Sequence, residues 1–354
     1  MSTFVIGYYA LLIGASCLAA YFNKRKIFIL VFSLTMISFI AGIIGGAPAL
    51  RFITTAAGLL ALAAGTSFAF REFLIIITPA GVSKELRTAP LTAAFGMFVI
   101  FTYAIAGVFA PVIAPFGEAQ VISSAFAPPD ETMLLGADQL GRDMFSRIIY
   151  GARNSVGLAL LATMLAFFMG AFAGLLAATK GGWFDQLIGR VADVIMSVPS
   201  LIFALLMLSI FGTNLVVIVI VVAVIYSPRV FRLTRAVAGN VVVMDYIEAA
   251  KLRGEGTWYL IRREILPNST APLIAEFGLE FCFVFLLIAG LSFLGLGIQP
   301  PTADWGSMVR ENATLISFGE MTPLIPAAAI ALLTVAVNFV VDWMLFRSSG
   351  LKEV

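Results

Sequence analysis

Long runs of apolar residues, separated by short polar segments, recur along the whole chain. A helix needs about 20 predominantly apolar residues to cross a bilayer, and this template finds nine candidate spans. They cover approximately residues 4–22, 27–47, 52–77, 92–114, 155–178, 186–211, 214–235, 270–297 and 323–346. The first run lacks the basic start of a signal peptide, and further spans follow it at once. The pattern therefore predicts an all-α polytopic membrane protein.

The polar segments divide these spans into blocks. Residues 1–80 are predicted to form an extra N-terminal three-helix membrane block, residues 81–91 a cytoplasmic linker, and residues 92–350 a six-span core. The predicted loops of the core are 116–153 and 298–322 on the outside and 238–268 in the cytoplasm.

Basic residues indicate the orientation of the spans. Most of the 22 Lys and Arg residues fall on one side if the N-terminus lies outside. The segment between the seventh and eighth spans carries Arg229, Arg232, Arg235, Lys251, Arg253, Arg262 and Arg263. Because short cytoplasmic loops are enriched in Lys and Arg, we expect the N-terminus outside and the C-terminus in the cytoplasm of a bacterial or archaeal cell.

The composition of the chain excludes several classes of function. Hydrophobic residues make up 61% of the chain, against roughly 45–50% in an average soluble domain, and the net charge of +2 is too small for a nucleic-acid-binding surface. The chain has no histidine, which excludes His-based acid–base catalysis and the common zinc sites. The run Gly136 to Asp143 has the glycine spacing of a P-loop but not its Lys-Ser/Thr end, so any ATP must be hydrolysed by another chain.

The basic loop between residues 245 and 268 predicts a helix–turn–helix outside the membrane. Good helix formers continue to Arg253, and Gly254 is free to take the positive φ that commonly ends a helix. A second short helix is predicted to begin near Thr257 and to end before Pro267. Two short helices cannot shield all of the loop's apolar side chains, so some of these side chains must dock on another surface. The positions concerned are Ile247, Ala250, Leu252, Trp258, Ile261 and Ile265.

Motifs in this loop and in the two outside loops resemble one family of transporters. Glu248-Ala249-Ala250, then Gly254 and finally Ile265-Leu266-Pro267 resemble the signature loop in the membrane subunits of binding-protein-dependent ABC importers. Leu135-Gly136-Ala137-Asp138-Gln139-Leu140-Gly141-Arg142-Asp143 and Leu291-Ser292-Phe293-Leu294-Gly295-Leu296-Gly297, with Asp304-Trp305-Gly306 following, resemble the dipeptide/oligopeptide/nickel branch. The resemblance covers about residues 90–350 and is closest to the C-type member of the permease pair.

The resemblance implies a mechanism and a set of partners. The signature loop would form a coupling helix in a groove of a cytoplasmic ATPase, and the implied contact residues are Glu248, Ala249, Ala250, Gly254, Ile265, Leu266 and Pro267. A second homologous permease would complete a heterodimeric pore, and two cytoplasmic P-loop ATPases would bind ATP and Mg. A soluble extracytoplasmic substrate-binding protein would deliver short peptides or related small solutes. The chain itself would bind no cofactor or metal and would perform no covalent chemistry.

Three groups of charged residues leave alternatives open. The outside-loop residues Asp138, Gly141, Arg142, Asp143 and Trp305 belong either to a receptor-docking surface or to a solvated loop that pairs with itself. Glu276 and Glu280 share a helix face near the cytoplasmic end of the eighth span. They either line the pore and meet cationic groups or pair with Arg262 or Arg263. Arg190 and Asp193, three positions apart within the sixth span, either form a structural ion pair or take part in gating.

Two other protein classes compete with the importer hypothesis. A stand-alone secondary transporter driven by an ion gradient would need coupling carboxylates near the middle of the membrane. An intramembrane enzyme would need a catalytic constellation within the spans. The sequence offers neither a clear mid-membrane acid nor an obvious Ser–Lys or paired-Asp arrangement, and neither class explains the signature loop.

Overall fold

The computed structural model describes residue 14 and residues 26–33, 48–318 and 322–348. Within these ranges every regular element is a helix, and two isolated bridges, Val121 with Arg142 and Ala137 with Asp143, are the only β pairings. The all-α prediction is therefore confirmed. The predicted first span (4–22), apart from residue 14, and most of the second (27–47) lie outside the described residues.

The chain divides into two compact units, Met1–Ile100 and Phe101–Val354. Residues 26–33 of the first unit are helical. Three further helices lie wholly or partly in it: α1 (Pro48–Ile77), α2 (Ala80–Leu86) and α3 (Leu91–Val108), which crosses the boundary. Helix α2 occupies most of the predicted linker. In this unit Arg71 Nη1 donates a hydrogen bond of 3.1 Å to the Ala89 carbonyl, and the Phe28 ring lies 5.0 Å from that of Phe68.

Eleven further helices follow in the second unit. They are α4 (Ala110–Ile113), α5 (Met144–Gly151), α6 (Gly157–Lys180), α7 (Gly182–Met196), α8 (Ser200–Phe211), α9 (Leu215–Val242), α10 (Asp245–Leu252), α11 (Thr257–Tyr259), α12 (Leu266–Phe293), α13 (Trp305–Asn312) and α14 (Leu324–Ser348). Two π-helical segments, Ala152–Val156 and Leu260–Ile265, join α5 to α6 and α11 to α12, and a 3₁₀-helix, Ala313–Phe318, follows α13.

Six helices of the described ranges are long and apolar enough to cross a membrane. They are Gly58–Ile77, Leu91–Val108, Met144–Lys180, Leu215–Val242, Thr257–Phe293 and Leu324–Arg347. The predicted span at 186–211 is not one straight helix: α7 and α8 together are long and apolar enough for one span, but they meet at 86°. Pro199 is the N-cap of α8 and has an extended ψ of 127°. Because a residue that precedes a proline disfavours the helical conformation, the chain breaks between α7 and α8.

Small residues bring α6 and α9 close together. A Cβ added at Gly174 on α6 would lie only 2.8 Å from the Phe231 carbonyl oxygen on α9, so a larger residue does not fit there. A Cβ added at Gly170, one turn earlier, would lie even closer to the Ser227 carbonyl oxygen. Small residues four apart allow this close approach of membrane helices. The α6–α9 pair therefore forms a rigid support that runs between the two ends of the second unit.

Candidate functional site

The segment of residues 245–267, here called the EAA segment, begins with α10. At the end of α10 Gly254 has a φ of +84°. Its N–H donates to the Lys251 carbonyl at 2.9 Å, and the next N–H, of Glu255, donates to the Ala250 carbonyl at 3.2 Å. These two bonds satisfy the last carbonyls of the helix in the Schellman arrangement, in which glycine is the preferred residue. The predicted helix end at Gly254 is confirmed.

The second half of the EAA segment differs from its prediction. A helix begins at Thr257 as expected, but it continues through the π-helical segment and past Pro267 into α12. The predicted end before Pro267 is wrong. Pro267 lies in the first turn of α12, and the widened π turn just before it changes the hydrogen-bond spacing where a proline would otherwise clash with a carbonyl.

One face of the EAA segment packs on the body of the chain. Ile247 and Ala250 from α10 are fully buried, as is Ile265 from the π segment. They form one apolar cluster with Leu175 of α6 and Ala238 of α9. Two residues assigned by resemblance to an ATPase contact, Ala250 and Ile265, therefore pack inside this chain and anchor the segment to the α6–α9 pair.

The opposite face of the EAA segment is exposed. Of the other predicted contact residues, Glu248, Ala249, Gly254, Leu266 and Pro267 are all exposed. They border a set of exposed large apolar side chains, here called the outer patch: Met244, Tyr246, Leu252, Trp258 and Tyr259. Contiguous exposed apolar surface marks a site of protein or membrane interaction. The sequence placed Leu252 and Trp258 among the apolar side chains of which some must dock on another surface. It did not single out Met244 or Tyr246, which lie at the start of α10.

A cleft of about 680 Å³ is lined by residues of α6, α7 and α9. Two ion pairs join its walls: Asp193 on α7 pairs with Arg232 on α9, and Asp185 pairs with Arg235. The predicted ion pair of Arg190 with Asp193 is wrong, because the guanidinium that Asp193 contacts comes from the facing helix. The four paired residues tie the first half of the bent α7–α8 pair to α9.

Four charged residues pack together at the other end of the α6–α9 pair. This ion cluster consists of Asp138, Arg142, Arg147 and Glu311. Asp138 Oδ2 lies 2.7 Å from Arg142 Nε and 3.3 Å from Arg147 Nε, while Glu311 Oε2 lies 3.0 and 3.3 Å from Nη2 atoms of the two arginines. No side chain of the cluster is more than 6% exposed.

Helix caps order each of the two predicted outside loops, and a tryptophan packs one loop against the other. Asp143 caps α5 by accepting from the Ser146 N–H at 2.7 Å, and Asp304 caps α13 by accepting from the Ser307 N–H at 2.9 Å. Burial raises the pKa of Asp304, while hydrogen bonds from serine side chains and backbone oppose this shift. Trp305 is buried, and its Nε1 donates to the Ile148 carbonyl at 2.9 Å.

These contacts correct the prediction of a docking surface built from the outside-loop residues. Asp138, Arg142, Asp143 and Trp305 are at most 2% exposed, and Gly141 is also buried. Their burial leaves no surface for direct contact with a receptor. The ion cluster agrees with the alternative of a self-paired loop, although the loop is packed and not solvated. Arg142, which pairs with Glu311, and Trp305, which bonds the Ile148 carbonyl, join segments 116–153 and 298–322 into one packed cap.

The acidic pair on α12 has a partner that the sequence did not indicate. Glu280 is 1% exposed, and its Oε1 lies 3.9 Å from Nη1 of Arg229 on α9. Neither Arg262 nor Arg263 pairs with it in the described part of the chain. Glu280 lies halfway along α12, not near its end, and Arg229 lies halfway along α9, not in the basic loop. Glu276, one turn before Glu280, is half-buried.

The architecture defines a class of protein: a multi-pass membrane subunit with an EAA segment that is anchored on one face and exposed on the other. Residues 166–348 match the family described as "Binding-protein-dependent transport system inner membrane component". The chain belongs to this family.

Curated relatives match a longer part of the chain than the family region. The chain is 34% identical over 254 residues to the di/tripeptide transport system permease protein DppC of Pseudomonas aeruginosa, which covers 70% of this chain and 84% of that protein. It is 33% identical over 257 residues to the glutathione transport system permease protein GsiD of Pectobacterium atrosepticum, covering 71% and 84%. A solved structure, of an amino acid ABC transporter with histidines, is 22% identical and covers 58% of this chain and 94% of that one, with a TM-score of 0.43 that is too low to add to the fold assignment.

Family membership confirms the importer-permease hypothesis. The chain is a transport component of an inner membrane, and its family implies an ATPase and a binding protein as partners. The comparisons give no support to the ion-gradient alternative.

Proposed function

We propose that this chain is the pore-forming permease subunit of an ATP-driven importer of short peptides or related small solutes. The observation that carries the proposal is the two-sided EAA segment, with a buried face on the chain's own helices and an apolar face open to a partner. The names of the relatives, which include di/tripeptide and glutathione permeases, favour peptides as the substrate class.

The anchoring of the EAA segment supports a direct mechanical coupling. Ile247, Ala250 and Ile265 attach the segment to Leu175 of α6 and Ala238 of α9. Close-packed interiors transmit displacement because they have little free volume. A partner that moves the outer patch therefore moves the α6–α9 pair, and the same motion reaches α12 through the continuous helix from Thr257 to Phe293. ATPase closure would in this way switch the pore between its two access states.

The partners of this proposal follow from the same geometry and from the family. Two cytoplasmic P-loop ATPases would bind ATP and Mg, one of them against the outer patch, and this chain would bind no cofactor. A second homologous permease would complete the pore, and an extracytoplasmic binding protein would deliver substrate. The EAA segment would face the cytoplasm, with the N-terminus outside and the C-terminus inside, because Lys251, Arg253, Arg262 and Arg263 are exposed around the outer patch.

Two substitutions in the EAA segment, a charge reversal and a bulky replacement, test the coupling role. Glu248→Lys places a cation where an anion is exposed, and Gly254→Trp adds a bulky side chain at a position of positive φ with open space around it. We expect both variants to stay folded in the membrane but to uncouple ATP hydrolysis from peptide uptake in reconstituted liposomes. Glu131→Lys, the same charge change at an exposed position in the 116–153 loop, is the matched control. Normal uptake by both EAA variants would refute the coupling assignment.

A mild-detergent purification tests the partner set independently. We expect mass spectrometry to identify a second permease and P-loop ATPases in stoichiometric amounts with this chain. Recovery of the chain as a pure homo-oligomer, under conditions that preserve other membrane complexes, would contradict the proposal.

A further inference from the structure

Arg229 and Glu280 form an ion pair in the middle of two membrane-spanning helices. Arg229 is at the midpoint of the 28-residue α9, and Glu280 is at the midpoint of the 28-residue α12. At 1.5 Å per residue, Arg229 lies about 20 Å from either end of α9, and Glu280 lies about 20 Å from the end of α12 at Phe293. Charged residues within membrane-spanning helices are costly and usually face the interior of a bundle or a water-filled cavity.

The two members of the pair differ in exposure. The Glu280 side chain is 1% exposed, while the Arg229 side chain is 47% exposed on the surface of this chain. A half-exposed guanidinium facing lipid would carry the full cost of its charge. We therefore place the surface that carries Arg229 on the substrate path. A molecule that approaches this surface meets the guanidinium before it meets the carboxylate.

The guanidinium of Arg229 is held in place but keeps its hydrogen-bonding capacity. Its central carbon lies 4.7 Å from the centre of the Phe283 ring and 5.7 Å from that of Tyr226, and the Tyr226 hydroxyl donates to the Phe283 carbonyl at 3.1 Å. The contact with Glu280 is 3.9 Å long, and Glu276, one turn away on α12, also interacts electrostatically with Arg229. Among the described residues no hydrogen bond uses the guanidinium donors. Glu280 Oε2, buried behind it, likewise has no hydrogen-bond partner in the described ranges.

Ring stacking and an incomplete ion pair together prepare this guanidinium for a further ligand. A guanidinium presents a planar fork of donors that matches the two oxygens of a carboxylate. We propose that Arg229 binds the carboxylate of the substrate within the path, and that this carboxylate displaces Glu280, which is the counter-ion of the empty state. The proposal rests on the proposed function, since a peptide supplies such a carboxylate.

Three variants separate this role from a purely structural ion pair. They are Arg229→Gln, Glu280→Gln and the double variant, each in the full complex with partner permease, ATPases and binding protein in liposomes. ATP-driven uptake of a pool of dipeptides is measured by mass spectrometry. Arg229→Gln is expected to lower uptake about tenfold, the effect of losing one charge-assisted contact. Glu280→Gln removes a competitor for the guanidinium and is expected to raise uptake at low peptide concentration. The double variant should behave like Arg229→Gln.

Each contrary result has a distinct meaning. Equal losses in both single variants, with recovery in the double variant, would show a structural pair and overturn the proposal. Loss in Glu280→Gln with full uptake in Arg229→Gln would overturn it in favour of a path for cationic groups. Arg87→Gln, an exposed arginine outside this site, is the matched control and should retain uptake. If the wild-type complex imports no dipeptide with ATP, the proposed function has failed, and this proposal fails with it.

A conservative variant covers the case in which Arg229→Gln does not assemble. Arg229→Lys keeps the charge but loses the planar fork, so we expect an assembled complex with uptake lowered severalfold. Full uptake by Arg229→Lys would contradict carboxylate binding by the guanidinium.

Discussion

The two ends of the α6–α9 pair differ in which side chains they bury and which they expose. At one end the ion cluster buries four charges that pair with one another, and no side chain of the cluster is more than 6% exposed. At the other end the outer patch exposes apolar side chains, among them Leu252 at 85% and Trp258 at 60%. At the first end the charged groups pair with one another within this chain. At the second end the exposed apolar side chains need a partner protein to cover them. A permease needs a fixed cap where its loops meet and an open surface where another protein drives it.

The difference also predicts where mutations act. A change in the ion cluster alters the folding of this chain, because it leaves a buried charge without its partner. A change in the outer patch leaves folding almost unaltered and acts on association, because the patch is already exposed to solvent. The four predictions that follow test this contrast, from the largest expected effect to the smallest.

Removal of one charge from the ion cluster should have the largest effect. Glu311→Gln leaves Arg142 and Arg147 with Asp138 as their remaining anion in the cluster, and breaking a buried pair costs about 3–5 kcal/mol. We expect a large fall in the midpoint of thermal unfolding in detergent. Glu131→Gln, at an exposed position in the same region, should unfold like the wild type. Equal midpoints for the two variants would show that the cluster contributes nothing to folding.

Truncation of a side chain on the buried face of the EAA segment should have the second largest effect. Ile247→Ala creates a cavity in a fully buried site, and such changes cost about 2–5 kcal/mol. We expect faster hydrogen exchange of the α10 amides, because this helix is attached to the body through that face. Leu252→Ala, on the opposite face of the same helix, should leave the exchange rates unchanged. Similar exchange in both variants would contradict the two-faced description.

A charge in the outer patch should weaken association without altering folding. Leu252→Asp changes a side chain that is 85% exposed, so the free energy of unfolding should move by no more than about 0.5 kcal/mol. If Leu252 is central to the contact, its loss should weaken ATPase binding about 30-fold. Leu134→Asp, a comparable exposed leucine in the 116–153 loop, is the matched control. Co-purification of the ATPase with both variants alike would place the contact elsewhere.

The smallest expected effect concerns the turn between the two helices of the EAA segment. Gly254→Ala puts a Cβ at a φ of +84°, which costs about 1–2 kcal/mol in the left-handed region. Gly256 has an ordinary φ of −76°, so Gly256→Ala should cause no such loss. Chemical denaturation of the two purified variants measures the difference, and equal stability would show that the turn rearranges freely.

The sequence predicted those features that depend on neighbouring residues. Runs of about 20 apolar residues mark spanning helices wherever they pack, and the end of α10 at Gly254 follows from the freedom of glycine to adopt positive φ. The apolar residues of the EAA segment likewise indicated that part of its surface would lack a partner within the segment. Each of these conclusions uses residues within a few turns of one another.

Contacts between distant parts of the chain decided the rest. Arg147 and Glu311 are 164 positions apart, and nothing in either loop alone indicated that their charges would be buried together. The bend between α7 and α8, the pairing of Asp193 with Arg232 and the continuous helix through Pro267 also depend on which helices face each other. The mid-helix position of Arg229 is decided in the same way, because the long α9 includes a residue that charge counting assigned to a loop. A charge is stable inside only when a partner lies within a few ångströms, and only the tertiary structure brings that partner there.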